Sequence, residues 1–311
     1  MNVDSLLKRY ALHARASGYS PKTIAHVEHS VSDFARFLAG VDDVSSVTAD
    51  DLREYIVDAR TRPRWEGRPQ ERHGKLLSTT SINTYVRGIK QFWSWLYNEH
   101  IIADNPLASV KAPKLPQRLP KTVPPDELQA ICKACNSSRD EAIILLLVDT
   151  GMRLAELTNL RITDRDEREK KLRVIGKGDK ERAVYMSDWT DAVLSTYICF
   201  ERPGGTDPGP LFLTYDGLPL TAARIQKILE RIGNKAGLRH RLSPHRLRHT
   251  YATESLKHGA SLEHVRRTLG HTDIKTTEIY LSLSDKDIQD AHRTFSPVAN
   301  LRLAPKRRRC P

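Results

Sequence analysis

The sequence lacks the features of membrane proteins and of disulfide-rich secreted domains. Its 311 residues include only four cysteines, which fits a reducing compartment. No stretch approaches the roughly 18 consecutive apolar residues that a membrane span needs, and the apolar run at residues 143–148 is short. Residues 1–9 mix charge with leucine and have no apolar secretory segment. These absences predict a soluble, cytoplasmic protein with no membrane partner.

Two of the cysteines, Cys132 and Cys135, form an isolated C-x-x-C motif. A zinc centre would need a second pair of ligands at zinc-site spacing, and the sequence does not offer one. Leu128 and Ile131 fall on the same apolar helical face as the two cysteines. We therefore interpret residues 126–135 as a core helix opened by proline, and we expect neither a metal nor another cofactor.

Positive charge is in excess. Lysine and arginine number 50, aspartate and glutamate 38, and the net charge is +12 with a pI near 9.6. A field of this sign favours a polyanionic partner, and nucleic acid is the first candidate. A basic surface that only keeps the protein soluble would also explain the composition.

Proline is concentrated between residues 105 and 125, where it alternates with lysine and arginine. The prolines are Pro106, Pro113, Pro116, Pro120, Pro124 and Pro125. This stretch is too rich in proline to form a helix, so we predict an extended basic linker at residues 111–125. It would join a domain at residues 1–110 to a second domain at residues 126–298, with a basic tail at residues 299–311.

Before the linker, apolar residues recur at helical spacing. Ser20 and Pro21 predict the start of one helix, residues 50–59 form a second, and residues 78–81 can cap a third. We therefore expect a small all-α domain. The third helix carries an aromatic cluster that could stack on bases, but its spacing is more typical of a hydrophobic core. The cluster consists of Phe92, Trp93, Trp95 and Tyr97.

After the linker, helical and strand patterns alternate. A turn at Gly151 precedes a predicted helix at residues 152–160, so Arg153 lies at the helix start. Glu156, three residues on, can hold its guanidinium, although a surface ion pair would have the same spacing. Two short strands follow at residues 172–175 and 182–186, joined by a glycine-rich hairpin loop. Lys177 would lie near the tip of that mobile loop.

The segment SPHRLRHT at residues 243–250 is the densest signal. Its serine and proline predict a helix start, which places His245 in the first turn and Arg248 on the same face. The helix dipole also favours an anion at this end. His249 adds an H-x3-H pair, but the acidic or thiol companions of a metal site are missing.

A final amphipathic helix is predicted to end at Gly270 and His271, and a tyrosine follows. The chain thus presents, in order, Arg153, Lys177, His245, Arg248, His271 and Tyr280. Cationic side chains, imidazoles and a phenol are the groups that a protein needs to attack a DNA phosphodiester without a metal. A phenol, with a pKa near ~10, needs a neighbour that takes its proton or cations that stabilise its anion. Guanidiniums and imidazoles can hold the negative charge of the phosphate.

In this order, the motifs resemble those of the tyrosine recombinases, the phage integrase family, and among them the Xer-like and transposon-type integrases. The motifs are TGMRLAEL at residues 150–157, GKG at 176–178, HRLRH at 245–249, LGH at 269–271 and Tyr280. The resemblance spans nearly the whole chain. It implies a multidomain α+β fold, in which an N-terminal all-α SAM-like core-binding bundle binds DNA. A mostly helical catalytic domain with a small antiparallel sheet would follow.

The resemblance also implies how the site residues act. Tyr280 would attack the scissile phosphate and form a 3′-phosphotyrosyl link. Arg153 and Arg248 would clamp the non-bridging oxygens, and His271 would donate a further hydrogen bond to them.

Proton transfer and assembly follow from the same resemblance. Lys177 would protonate the departing 5′-oxygen, and His245 would assist proton movement at the tyrosine. A homo-tetramer would pair two inverted-repeat core sites of double-stranded DNA and exchange strands through a Holliday junction in the nucleoid. A second recombinase or a directionality factor could take part.

Two other classes of protein fit parts of the pattern. A type IB topoisomerase uses similar chemistry as a monomer, but it usually has lysine or arginine where His245 stands. A non-catalytic DNA-binding protein would have no need of the full catalytic set. The sequence leaves open whether the biological role is integration or excision of a mobile element, inversion, or Xer-like resolution of chromosome dimers.

Overall fold

The computed structural model describes residues 2–39, 43–63, 76–115, 121–176 and 180–270. The chain divides into two units, Met1–Gln117 and Arg118–Pro311. Among the helices in these described ranges, none combines the length and the apolar composition of a membrane span.

Four α-helices form most of the described part of the first unit. They are α1 (Val3–Ala16), α2 (Pro21–Phe37), α3 (Ala49–Thr61) and α4 (Thr79–Asn98). Each begins after a polar residue whose side-chain oxygen accepts a hydrogen bond from a backbone N–H of the first turn. These caps are Asn2, Ser20, Thr48 and Ser78. The structure confirms the three predicted helices, and α1 is an additional one.

The core of the first unit is built on aromatic side chains. Phe34 of α2 and Trp93 of α4 meet edge to face, with ring centroids 5.6 Å apart. The core interpretation of the α4 aromatics is confirmed for Phe92, Trp93 and Trp95, which are buried, whereas Tyr97 is 47% exposed. The cluster therefore holds the helices together rather than forming a base-stacking surface.

A polar network closes the end of α3. Arg62 donates a 2.9 Å hydrogen bond to Asp33 of α2, and it also pairs with Asp58 of α3. Next to it, Pro63 and Leu76 form an antiparallel bridge. The residues that flank the segment 64–75 are therefore held side by side.

The second unit contains seven α-helices and three strands among its described residues. The helices are α5 (Pro125–Ala134), α6 (Ser138–Asp149), α7 (Leu154–Asn159), α8 (Asp188–Thr196), α9 (Ala222–Lys235), α10 (Pro244–Lys257) and α11 (Leu262–Leu269). The strands are β1 (Arg165–Asp166), β2 (Lys171–Ile175) and β3 (Glu181–Tyr185). They form an antiparallel sheet in the order β1-β2-β3.

The sheet confirms the predicted hairpin. Leu172 of β2 lies opposite Val184 of β3, and both are buried, whereas the next residue of β2, Arg173, faces solvent. This alternation is the two-residue period of a half-buried strand. It packs one face of the hairpin on the core.

Helix α6 lies at the centre of the second unit and packs against α8 and α10. The apolar run noted in the sequence falls on it, and residues 142–147 are all buried. A helix buried on every side has no polar stripe, which is why the run has no clear helical period. Helix α5 is also confirmed, and burial raises the pKa of Cys135 at its end to about 12, so this thiol stays protonated at neutral pH.

Candidate active site

The site is built around a sharp turn that precedes α7. Gly151 has a φ of +60°, the left-handed region that glycine adopts at little cost. A Cβ at this position would lie 2.6 Å from Cδ1 of Tyr251 and 2.7 Å from Cδ2 of Leu269. The turn is thus packed tightly against α10 and α11. It also delays the start of α7 to Leu154, two residues later than the sequence pattern predicts.

Arg153 follows this turn as the N-cap of α7. Its backbone N–H donates a 2.7 Å hydrogen bond to Glu156, and its Nη1 donates a second, of 3.0 Å, to the same carboxylate. Its Nη2 donates to the carbonyl of Gly270 at 3.2 Å. The predicted pairing of Arg153 with Glu156 is confirmed. The Arg153 side chain stays 36% exposed, which leaves part of it accessible to a ligand.

Arg248 reaches the same place from α10. It is buried, and its guanidinium donates hydrogen bonds to the carbonyls of Gly151, at 2.6 Å, and Leu269, at 2.7 Å. The structure therefore brings together Arg153 and Arg248, which are 95 residues apart in the sequence, at the C-terminal end of α11. His245 lies in the first turn of α10, as predicted, and is exposed.

An arginine that the sequence reasoning missed completes this cluster. Arg182 of β3 donates from Nη1 and Nη2 to the two carboxylate oxygens of Glu156, at 2.8 Å each. Its Nε donates to the carbonyl of Thr268 in α11 at 2.8 Å. A signal for it exists in the sequence, because Arg182 is on the same face of its strand as the buried Val184. An arginine on the inner face of a strand needs an acidic partner.

Glu156 is therefore a carboxylate shared by two arginines. It is buried, which disfavours its charged form, but hydrogen bonds from Arg182 and Arg153 outweigh the burial. The balance lowers the pKa of Glu156 below its ordinary value. The cluster thus contains a fixed negative charge at neutral pH, surrounded by guanidiniums.

A second missed arginine holds the chain that leads into the second unit. Arg246 of α10 is buried and donates to the carbonyl of Thr122 from Nε, at 3.1 Å, and from Nη2, at 2.9 Å. It also forms a 2.6 Å ion pair with Glu127 of α5. The backbone N–H of Val123 donates to the hydroxyl of Thr250, also on α10, at 2.8 Å. The end of the predicted linker is thus fixed to the helix that carries His245 and Arg248.

Other predicted features of the site have mixed outcomes. Helix α11 ends at Leu269 with Gly270 as its left-handed cap, as the sequence predicts. Lys177, His271 and Tyr280 lie outside the described residues.

The pKa of His249 is lowered, chiefly by burial and to a smaller extent by the nearby His245 and Arg248. In the part of the chain that the structure describes, no group of three or more His, Cys, Asp or Glu side chains could hold a metal ion.

The arrangement is suited to an anion with several oxygens. Arg153 and Arg248 bring two planar guanidiniums to one point, and guanidiniums bind phosphate through paired N–H donors. Hydrogen bonds to backbone carbonyls and to Glu156 orient them before any ligand arrives. Donors held in this way stabilise developing negative charge without reorganisation.

The sequence of this chain is similar to those of known proteins. Residues 121–287 match the Phage integrase family. The chain is 30% identical to "Tyrosine recombinase XerD" of Listeria monocytogenes, over 91% of this chain and 95% of that protein. It is also 30% identical to "Tyrosine recombinase XerC" of Chromohalobacter salexigens, over 94% of this chain and 96% of that protein.

Solved structures are similar over the same length. The XerA recombinase is 26% identical, with a TM-score of 0.52, over 94% of this chain and 99% of that chain. The Tn1549 transposon integrase in complex with transposon right end DNA is 19% identical, with a TM-score of 0.73, over 94% and 99%. A lambda integrase dimer bound to a core site is 18% identical, with a TM-score of 0.71, over 90% and 95%. For these last two the likeness concerns the fold, which is mostly helical with a small antiparallel sheet.

Proposed function

Because the chain belongs to the phage integrase family and is a site-specific tyrosine recombinase that cuts and rejoins DNA, we propose that Tyr280 attacks a scissile phosphate clamped by Arg153 and Arg248. The observation that carries this proposal is the convergence of the two guanidiniums at the end of α11. His271 is the next residue after the Gly270 cap, and we assign it a hydrogen bond to the same phosphate.

The chemistry is a phosphoryl transfer that conserves the diester bond energy. The phenol oxygen of Tyr280 forms a bond to phosphorus while the bond from phosphorus to the 5′-oxygen breaks, which leaves a 3′-phosphotyrosyl link and a free 5′-hydroxyl. Lys177 gives a proton to the departing 5′-oxygen, and His245 assists removal of the tyrosine proton. Arg153 and Arg248 stabilise the charge on the non-bridging oxygens throughout. Rejoining needs no nucleotide, metal or other cofactor.

DNA binding is assigned to both units. The +12 net charge favours a polyanion, and two similar structures are complexes with DNA, one with a transposon end and one with a core site. We propose that the first unit is a SAM-like core-binding bundle at residues 1–110, and that residues 126–298 form the catalytic domain. The linker at residues 111–125 and the tail at residues 299–311 would add basic contacts with the phosphate backbone.

Strand exchange needs more than one active site. We assign four copies of this chain to two inverted-repeat sites, which exchange strands in pairs through a Holliday junction. The similar proteins named XerC and XerD suggest chromosome-dimer resolution as one role, and the similar transposon integrase suggests mobile-element integration and excision as another. A second recombinase or a directionality factor would act at the level of this assembly, in the nucleoid.

The direct test is to trap covalent protein–DNA adducts under denaturing conditions from cells that express the wild type or Tyr280→Phe. Sequencing of the attached DNA should reveal one inverted-repeat site, and the adducts should be lost in the variant. Adducts that depend on Tyr280 but are scattered over the chromosome would instead favour a topoisomerase. No adducts from a folded, DNA-bound wild type would contradict the proposed chemistry.

A further inference from the structure

The Glu156 carboxylate lies between Arg153, which is partly exposed, and Arg182, which is more deeply placed. The exposed fractions of the three side chains are 36% for Arg153, 3% for Glu156 and 15% for Arg182. Arg182 makes two parallel 2.8 Å hydrogen bonds with the carboxylate, whereas the guanidinium of Arg153 makes one of 3.0 Å. The carboxylate is thus bound mainly by the arginine that is farther from solvent.

We propose that Arg182 is a positioning residue of the recombination reaction, which neutralises Glu156 so that the charge of Arg153 remains available to the scissile phosphate. This role rests on the function proposed above for Arg153. Glu156 is needed to orient Arg153, because it accepts hydrogen bonds from both its backbone and its side chain. An orienting carboxylate without a second partner would compete with the phosphate for the same guanidinium.

The geometry of Arg182 supports this role over that of an ordinary surface ion pair. Its fork-to-fork contact with Glu156 is the strongest arrangement for a carboxylate. The third bond, from Nε to the carbonyl of Thr268, fixes the guanidinium plane to α11, whose end also holds Arg153. A Cβ on Gly270 would lie 3.1 Å from Nη1 of Arg182, so the cap of α11 is packed directly on this side chain.

The same strand pair offers a matched control. Arg173 on β2 also bridges two acidic residues, Asp164 at 2.9 Å and Glu181 at 3.3 Å, and it is 55% exposed. Within the described residues, no hydrogen bond or ion pair joins it to Glu156. Loss of Arg173 removes an arginine and two ion pairs from the sheet. It should leave the charge balance at Glu156 unchanged.

The test compares cleavage of two nicked DNA substrates that carry the site recovered from the adducts. One has a normal scissile phosphate, and the other a methylphosphonate, which is neutral because a methyl group replaces a charged oxygen. A neutral phosphorus centre needs less cationic stabilisation, so the loss caused by Arg153→Ala should shrink on it. The variants are Arg182→Gln, Arg153→Ala, the double variant Glu156→Gln with Arg182→Gln, and Arg173→Gln, each examined for DNA binding and thermal unfolding.

On the phosphate substrate, we expect Arg182→Gln to slow cleavage by about 10- to 100-fold with DNA binding little changed. The loss should shrink on the methylphosphonate, as for Arg153→Ala, and the added Glu156→Gln should restore part of the rate. Arg173→Gln should stay within about twofold of the wild type. Should Arg182→Gln fail to fold, Arg182→Lys, which keeps the charge but not the fork, should show a smaller loss with the same dependence on substrate.

An equal loss on both substrates, with no recovery in the double variant, would overturn the proposal and leave Arg182 a purely structural residue. That outcome is distinct from failure of the proposed function. In the latter case the wild type itself would show no cleavage that depends on Tyr280. Normal cleavage by Arg182→Gln would also overturn the role of Arg182, but it would leave the proposed function intact.

Discussion

Arg153 and Arg248 donate hydrogen bonds to the carbonyls of two consecutive residues, Gly270 and Leu269. Carbonyls at a helix C-terminus carry partial negative charge and have no partner within the helix. The end of α11 therefore provides acceptors that fix both guanidiniums. The spacing between the two guanidiniums therefore depends on the backbone at residues 269–270. A shift of that backbone should affect both side chains at once.

The first prediction concerns Gly151, whose carbonyl also accepts from Arg248. Gly151→Ala should lower the free energy of unfolding by about 3 kcal/mol, because it adds a clash with Tyr251 to the cost of a positive φ. Gly237 is the control, since it also has a positive φ, of 68°, but a Cβ there would meet nothing within 4 Å.

Gly237→Ala should lower the free energy of unfolding by only about 1 kcal/mol, the cost of the backbone conformation alone. Urea unfolding of the two variants gives the comparison. Equal losses would show that the turn at Gly151 is not packed as described.

The second prediction is that Arg248 contributes more than Arg153 to the stability of the fold. Arg248→Ala should lower the free energy of unfolding by about 2–4 kcal/mol, because two buried carbonyls lose their donor. Arg153→Ala should cost about 1 kcal/mol or less, since its side chain is partly exposed and Arg182 still binds Glu156. Both variants should lose cleavage of a nicked substrate. A cleaving Arg153→Ala protein would remove this residue from the proposed clamp.

The third prediction follows from the lowered pKa of Glu156, whose ordinary value is 4.5. A carboxyl group with a lower pKa in the folded state stabilises the fold above that ordinary pKa, and the contribution is lost as the pH falls through the folded-state pKa. Between pH 7 and pH 3.5 the melting temperature of the wild type should fall. The fall should be smaller in Glu156→Gln, which has no proton to gain.

Glu141 provides a control of opposite sign. Burial raises the pKa of Glu141, so its contribution to stability is present below the ordinary pKa of 4.5 and is lost as the pH rises through its folded-state value. Glu141→Gln removes a group that favours the folded state in acid. The melting temperature of this variant should therefore fall more than that of the wild type between pH 7 and pH 3.5. If Glu141→Gln and Glu156→Gln both differed from the wild type in the same direction, the opposite pKa shifts of the two residues would be contradicted.

The fourth prediction concerns the attachment of residues 121–127 to α10. Arg246→Ala removes the donor to Thr122 and the ion pair with Glu127, so the chain around Lys121 should detach more often. Limited trypsin digestion should then cut after Lys121 several times faster than in the wild type. Arg241→Ala, which removes a 68% exposed arginine near the start of the same helix, should not change this rate.

Local patterns predicted the parts of the site that depend on near neighbours in the sequence. The Arg153–Glu156 pair, the start of α10 and the glycine cap of α11 are set by contacts within a few residues. The β2–β3 hairpin is likewise local, because adjacent strands are joined by a short loop. The family motifs supplied the roles of residues that these patterns cannot connect.

Contacts between distant residues could not be predicted in the same way. Arg182 meets Glu156 across 26 residues, and Arg246 meets Thr122 across 124. Helix α6 gave no clear period because all of its faces are covered, and α1 was missed although its apolar residues recur at helical spacing. For Arg182 and Arg246 the partner that explains the residue lies on another element, so the sequence near each arginine does not identify that partner.

The bridge that flanks residues 64–75 bears on how many residues this segment can contain. The bridge between Pro63 and Leu76 and the hydrogen bond from the Leu77 N–H to the Arg62 carbonyl hold together the residues that flank this segment. The entropy of closing a loop grows only with the logarithm of its length. Insertion of a peptide tag or a small fluorescent domain between residues 64 and 75 should therefore leave the first unit folded, which makes this segment a natural attachment point for a label.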